Sequence, residues 1–196
     1  MLKYNEDIQI GGNAMDFVKG IKVAILVANG FEQSELTSPK EALDKEGAIT
    51  KIISPEKGKV FGWKHTDWGN EFTVDIALDD ANPDDFDALL LPGGVMNPDK
   101  LRLNEKAIAF IKHFIDAEKP IAAICHGPWT LINAGGVKGK TITSWPSIKL
   151  DLINAGANWV DKEVIRDGLL VTSRKPDDLP AFNREMLDLF KQEVLA

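Results

Sequence analysis

The stretch Pro120–Gly136, PIAAICHGPWTLINAGG, decides how the rest of the chain reads. Its opening, Ile121–Ile124, is short and apolar, the pattern of a strand buried on both faces. Gly127–Ala134 then reads as a helix. Between the two stands the chain's single cysteine, Cys125, with His126 beside it. Ala123-Ile124-Cys125-His126-Gly127 has the small–x–nucleophile–x–small form of a nucleophile elbow, with cysteine in place of serine. Small flanking residues let the backbone turn tightly enough to thrust the sulfur outward. An isolated cysteine is otherwise packed as a small hydrophobe; the strand–elbow–helix context favours a reactive sulfur. The positive end of the following helix predicts a bias toward thiolate.

Outward from the elbow, strand and helix patterns alternate. Ile21–Ala28 (IKVAILVA) is a β-branched apolar run, followed by a polar loop and a helix that ends at Gly47. Ile49–Ser54 is a strand, and an irregular stretch to Trp68 resembles a small hairpin. Ala88–Leu91 (ALLL) is a short buried strand closed by Pro92-Gly93-Gly94. Asn104 caps an amphipathic helix that stops before Pro120. Beyond the elbow come a strand over Lys140–Ser144, a helix from Pro146 to Ala155, and strands near Val164 and Leu169–Thr172. A helix from Asp178 to Leu195 closes the chain. The alternation predicts one α/β domain over residues 20–196, a flavodoxin-like three-layer α/β/α sandwich with a mostly parallel sheet. Residues 1–19 read as a polar N-terminal extension, which leaves open whether Met1 or Met15 is the natural start.

The 196 residues suffice for one well-buried domain, and 44% apolar with 27% charged residues is ordinary for a globular protein. A net charge of −7 argues against a protein that tracks nucleic-acid backbones. No apolar run approaches the roughly 18 residues that span a membrane. One cysteine excludes an internal disulfide and a multi-cysteine zinc site, and suits a reducing cytoplasm. Three scattered histidines argue against a catalytic metal, and LPGGVMNPDK lacks the spacing of a phosphate-binding loop. No cofactor is expected.

In a parallel sheet, sites form where strands end. Three loops therefore bring Glu32 and Glu35, the bare amides of Gly93 and Gly94, and the Cys125–His126 pair to one edge. The amides of Gly94 and His126 would converge on the oxygen of a tetrahedral intermediate. His126 is read as the activating base, with a scaffold role as the alternative, because neighbouring side chains diverge. Glu35 should face the sheet edge, where burial beside sulfur would keep it neutral and able to donate a hydrogen bond. Glu32 is either a substrate contact or a solvated first-turn acid. Arg174, at the end of a strand, would bind a carboxylate or form a structural ion pair. Trp63, Trp129 and Trp145 line a pocket or pack, and the Gly58–Trp68 region is a candidate subunit contact. His65 and His113 read as solvated or structural.

With these residues in place, the chain resembles the PfpI family, within the superfamily of class I glutamine amidotransferase-like domains. The matching pieces are VANGFEQSEL (Val27–Leu36), DALLLPGG (Asp87–Gly94), LRLNEKA (Leu101–Ala107), AAICHGP (Ala122–Pro128), INAGANWVDKEV (Ile153–Val164) and TSRKPDDLPAFNRE (Thr172–Glu185). The resemblance implies a cysteine nucleophile at Cys125, its histidine at His126, a protonated glutamate at Glu35 and oxyanion amides at Gly94 and His126. It further implies a homo-oligomer, dimeric or hexameric, in which an acid from a second copy completes a triad. Here that position falls on Asp99, in an MNPDKLR loop one residue longer than the simplest family pattern. Trp145 stands where the Parkinson's-linked branch carries histidine, so the likeness is to the peptidase-like branch.

What the resemblance implies for activity is a cysteine-dependent enzyme acting on α-oxoaldehydes and their protein adducts, of glyoxalase or deglycase type, in a stress response. An intracellular peptidase is the second implication. A redox-sensing or chaperone-like protein that uses Cys125 as an oxidisable thiol is the non-enzymatic alternative. The expected substrates are small carbonyls or peptides.

Overall fold

The computed structural model describes residues 18–193. The extension expected over residues 1–19, except its last two residues, lies outside the described residues, as do Met15 and the end of the closing helix at Leu195.

The chain runs β1 (Lys22–Leu26), β2 (Phe31–Glu32), α1 (Gln33–Lys45), β3 (Ile49–Ser54), β4 (Lys59–Lys64), β5 (Asp67–Thr73), β6 (Ile76–Ala77) and β7 (Ala88–Leu91). It continues through α2 (Met96–Arg102), α3 (Glu105–Asp116), β8 (Ile121–Ile124), α4 (Pro128–Ala134), β9 (Thr141–Ile142) and α5 (Lys149–Asn154). The last elements are β10 (Asn158–Trp159), β11 (Val164–Asp167), β12 (Leu170–Ser173) and α6 (Leu179–Glu193).

Seven strands form the main sheet in the order β11-β12-β8-β7-β1-β3-β6. Every pairing is parallel except that of β11 with β12. Apart from Lys22 at the start of β1, the three central strands carry apolar residues without interruption because both faces are covered. Side chains alternate across a strand, so Val23 and Ile25 of β1 pack with Leu36 of α1 and Phe182 and Met186 of α6. Ala24 and Leu26 face the other way, toward Ile111 and Phe114 of α3 and Leu131 of α4. The mixed α/β architecture is therefore the expected flavodoxin-like sandwich, with a core on each side of the sheet.

Two local expectations need correction and a third is extended. The MNPDKLR segment is a helix, α2, rather than a loop. Its Pro98 falls in the first turn, where a missing N–H breaks no helical hydrogen bond. The stretch to Trp68 is the expected hairpin, β4–β5, with one irregularity between Phe61 and Trp63, and its second strand runs on to Thr73. The single helix expected from Pro146 divides into a 3-10 turn, Pro146–Ile148, and the short α5.

Candidate active site

Strand β8 delivers Cys125 into a conformation that few non-glycine residues adopt, with φ at +62°. Neighbouring backbone holds it there. The Cys125 amide donates to Ser173 O at 3.0 Å, its carbonyl accepts from Trp145 N at 2.9 Å, and Gly127 N donates to Ile124 O at 2.8 Å. A Cβ on Gly127 would collide with Leu91 O, so the small residue the elbow pattern requires has a concrete steric reason. Strain of this kind persists only where the surroundings over-determine it.

The loop after β7 wraps the sulfur. The amides of Gly94 and His126 both favour the charged form of the sulfur. Gly94 has φ +74°, and a Cβ at Gly93 would lie 2.6 Å from Glu35 Oε2 and 2.7 Å from Cys125 Cβ. The loop is tied down by Asn97, which is fully buried. Its Oδ1 accepts from Ala28 N at 2.7 Å, and its Nδ2 donates to Pro92 O at 2.9 Å and Gly93 O at 3.0 Å. One side chain thus joins the ends of β1 and β7.

Glu35, in the first turn of α1, is completely buried. Oε2 accepts from Gly93 N at 2.9 Å; Oε1 has no hydrogen-bond partner, and the carboxyl is electrostatically coupled to the Cys125 thiol. Burial raises its pKa from 4.5 to about 8, and the nearby Glu32 charge adds to the effect. Glu35 is neutral at physiological pH. The bias toward thiolate expected from α4 does not emerge. Burial first, and then the Glu35 carboxylate, push the Cys125 thiol well above its ordinary range, outweighing the two amides that favour its charge. A seven-residue helix is a weak dipole against that desolvation.

His126 does reach its neighbour: Nδ1 lies 3.3 Å from Cys125 Sγ. Burial lowers its pKa from 6.5 to about 4, leaving a neutral imidazole that can take a proton. Its Nε2 lies 3.1 Å from Ser147 Oγ. Trp145 stacks on the ring at 6.0 Å and 25°, and Trp129 packs against it at 6.1 Å.

These groups form the wall of a cavity of about 490 Å³, which Glu32, Trp63, His65, Trp145, Lys175 and Asp177 also line. Glu32 is buried and accepts a hydrogen bond from Ser34 Oγ at 3.3 Å. Trp129 lies behind His126 rather than in the cavity, where its Nε1 donates to Asp151 Oδ2 at 2.9 Å. Another cavity, of about 250 Å³ around Phe114, Ile115 and Leu131, is lined by neither cysteine nor histidine.

Two expected site residues stand apart. Asp99 is exposed on α2 and does not line the cavity of its own chain. Arg174 forms the structural ion pair and does not line the cavity. Its guanidinium donates to both oxygens of Asp178, at 2.8 and 3.0 Å, and to Asp161 Oδ1 at 2.7 Å, which raises its pKa further. His113 is half-buried against Asp84 Oδ1 at 2.9 Å. Ser147, Asn97 and His65 were missed as site residues. Nothing in local sequence marks the first two, while His65 stands between Trp63 and Trp68 in a ribbon whose approach to the elbow is a tertiary fact. Among the described residues no cluster of three or more His, Cys, Asp or Glu could hold a metal ion, and no helix is long and apolar enough to cross a membrane.

A mostly parallel sheet that ends in a cysteine elbow, with a histidine and a buried glutamate at the sulfur, defines a class of flavodoxin-like domains built around one thiol. Residues 21–189 match the DJ-1/PfpI family, and the chain belongs to that family. It is 47% identical over 174 residues to General stress protein 18 of Bacillus subtilis, covering 88% of this chain and 99% of that one. It is 48% identical over 171 residues to a deglycase of Pyrococcus horikoshii, covering 87% of this chain and all of the other. Among solved structures, a two-domain protein of Anabaena variabilis with DJ-1/ThiJ/PfpI-like and ferritin-like domains superposes with a TM-score of 0.81 at 34% identity. That match covers 86% of this chain and 47% of the larger one.

Proposed function

We propose that this protein is a stress-response enzyme that uses Cys125 on α-oxoaldehydes and their protein adducts, in the manner of a glyoxalase or deglycase. The observation that carries the reading is the thiol held between a neutral base and a neutral acid, His126 Nδ1 at 3.3 Å and the protonated Glu35. The names of the relatives, a deglycase and a general stress protein, support it.

The proposed reaction begins as Sγ bonds to the aldehyde carbon and Nδ1 takes the thiol proton. The amides of Gly94 and His126 receive the developing oxyanion, which is protonated to a hemithioacetal. With methylglyoxal, a proton then leaves the former aldehyde carbon and another is added to the neighbouring carbon, Glu35 or His126 carrying it. Water cleaves the resulting thioester to lactate and restores the thiol. With a hemiaminal adduct on an amine, Sγ bonds to the carbinol carbon as its carbon–nitrogen bond breaks; the amine departs with the thiol's proton, carried by His126, and the hemithioacetal left on the enzyme follows the same course to lactate.

The same geometry weighs against the alternatives. Peptide cleavage calls for an open groove that holds an extended chain, whereas the sulfur here faces a cavity of about 490 Å³ suited to a small carbonyl. A redox sensor benefits from a standing thiolate, whereas this thiol is pushed upward. The test is loss of methylglyoxal with purified protein, followed by lactate formation. Turnover should vanish in Cys125→Ala; equal rates in both proteins would remove the proposal.

A further inference from the structure

His126 touches a hydrogen-bonding atom at each ring nitrogen, Cys125 Sγ at Nδ1 and Ser147 Oγ at Nε2. A neutral imidazole carries one N–H, and the partner of one nitrogen decides what the other can do. We propose that Ser147 is a positioning residue for the nucleophile: its hydroxyl accepts the Nε2–H of His126, which leaves Nδ1 bare toward the thiol and completes the base within a single chain. The inference rests on the reading of Cys125 as nucleophile, but its test requires no substrate.

The placement of Ser147 is built into the elbow. It sits inside the 3-10 turn Pro146–Ile148. That turn begins where Trp145 N donates to the carbonyl of Cys125, and it is anchored by Ile148, only 2% exposed. Pro146 fixes the backbone as it enters the turn. The ring of His126 is clamped as well, between Trp145 and Trp129. Trp129 is itself held by Asp151 and by the Arg102 guanidinium 4.6 Å above its ring. With the plane of the imidazole set, the location of its proton is the freedom that remains. The Ser147 hydroxyl makes no other hydrogen bond among the described residues, so it is available to accept.

An acceptor at Nε2 serves both states of the ring. In the resting state it selects the tautomer that accepts from Sγ–H. After transfer both nitrogens carry protons, and Nε2–H still points at Ser147. A hydroxyl lacks the charge of a carboxylate, so it orients the base without stabilising a permanent imidazolium. The titratable groups sharing the cavity are Cys125, Glu32, Glu35, His65, Lys175 and Asp177, and none of the acids is hydrogen-bonded to His126 in this chain.

Ring 15N NMR of the full chain, with its three histidines, reads the tautomer directly. Iodoacetamide alkylation followed by intact mass reads the sole cysteine. The wild type should show Nε2 protonated and Nδ1 bare. Ser147→Ala should give mixed tautomers and alkylation about three- to tenfold slower at pH 7, the effect of one lost hydrogen bond. Ser147→Thr should restore both, and Ser147→Asp should raise the pH at which His126 protonates by about one unit. Circular dichroism confirms that each variant is folded. The proposal falls if Ser147→Ala keeps the wild-type ring spectrum and rate. It also falls if Asp99→Asn reproduces the Ser147→Ala effects, since the orienting group would then be an acid from a second copy. Absence of methylglyoxal turnover alongside the expected ring behaviour would overturn the functional reading and leave this one standing.

Discussion

The Glu35 carboxyl and the Cys125 thiol face each other in a space that accommodates one negative charge between them. Burial raises the pKa of both; the Glu35 carboxylate pushes the thiol up further, while the thiol's hydrogen bond offsets part of the rise at Glu35. A proton therefore stays on the pair through neutral pH, and the chemistry turns on where it lies. A neutral Glu35 donates toward sulfur and does not repel an arriving carbonyl; an ionised Glu35 holds the thiol protonated.

This coupling fixes the shape of the pH profile. His126 must be neutral to take the thiol proton, so activity should rise through about pH 4. Glu35 must be protonated, so activity should fall through about pH 8. Plotted as kcat/KM for methylglyoxal, the result is a bell with those limbs. In Glu35→Gln the alkaline limb near 8 should disappear, with kcat lowered about a hundredfold or more. A limb that persists in that variant would assign it elsewhere.

Folding stability should carry the same signature. Glu35 titrates at about 8 when folded and near its ordinary 4.5 when unfolded. The unfolded chain therefore releases this proton first as pH rises, and stability falls between those values. The unfolded chain's His126, ordinarily near 6.5, still binds part of a proton just above that pH, a smaller slope of opposite sign that is spent about one unit higher. From pH 6.5 to 8 the Glu35 contribution should fall by about 2 kcal/mol. Urea denaturation should show a flatter pH dependence in Glu35→Gln.

Gly93→Ala should damage the site more than the fold. Its new Cβ would meet Glu35 Oε2 at 2.6 Å and Ile124 O at 2.7 Å, in a place where none of the three elements has room to yield. We expect kcat to drop about a hundredfold as the Gly94 amide shifts, with a stability loss of about 1–3 kcal/mol. Wild-type turnover would mean the loop relaxes freely.

Asn97→Ala removes one acceptor and the donor to two carbonyls in a fully buried position. The cost should be about 3 kcal/mol or more, since each orphaned buried group carries its own desolvation penalty. Thermal melting checks it. Residual activity at low temperature should show a reduced kcat with little change in KM, because the amide aimed at the oxyanion is displaced while the cavity remains.

Arg174→Met should act on stability alone. It leaves Asp178, whose side chain is 6% exposed, without its cation. A loss of about 3 kcal/mol is expected, with KM for methylglyoxal close to wild type. A large rise in KM would return Arg174 to the substrate.

Much of this architecture was legible from local pattern. Continuous apolar runs such as Ala88–Leu91 and Ile121–Ile124 announce strands covered on both faces, because no half-exposed strand lacks polar alternation. The same reading failed at Met96–Arg102, where two adjacent glycines and Pro98 suggest a turn although proline is harmless in a first helical turn. It failed also for the sulfur's charge, because a helix start is visible in sequence while the depth of burial is not.

The sequence alone determined the elbow: small residues on both sides of Cys125 are demanded by local sterics, and local sterics are written in neighbouring residues. It also determined that His126 and Glu35 would share its edge, since strand ends in a parallel sheet gather there. Only tertiary structure decided that Asn97 joins two loops, that Arg174 is consumed by Asp161 and Asp178, and that Ser147 meets the far side of His126. Apart from Arg174–Asp178, one helical turn apart in sequence, the pairings of Asn97 with Ala28, Arg174 with Asp161 and Ser147 with His126 join residues 13 to 69 positions apart, and such contacts depend on how whole layers pack rather than on any local preference of the chain.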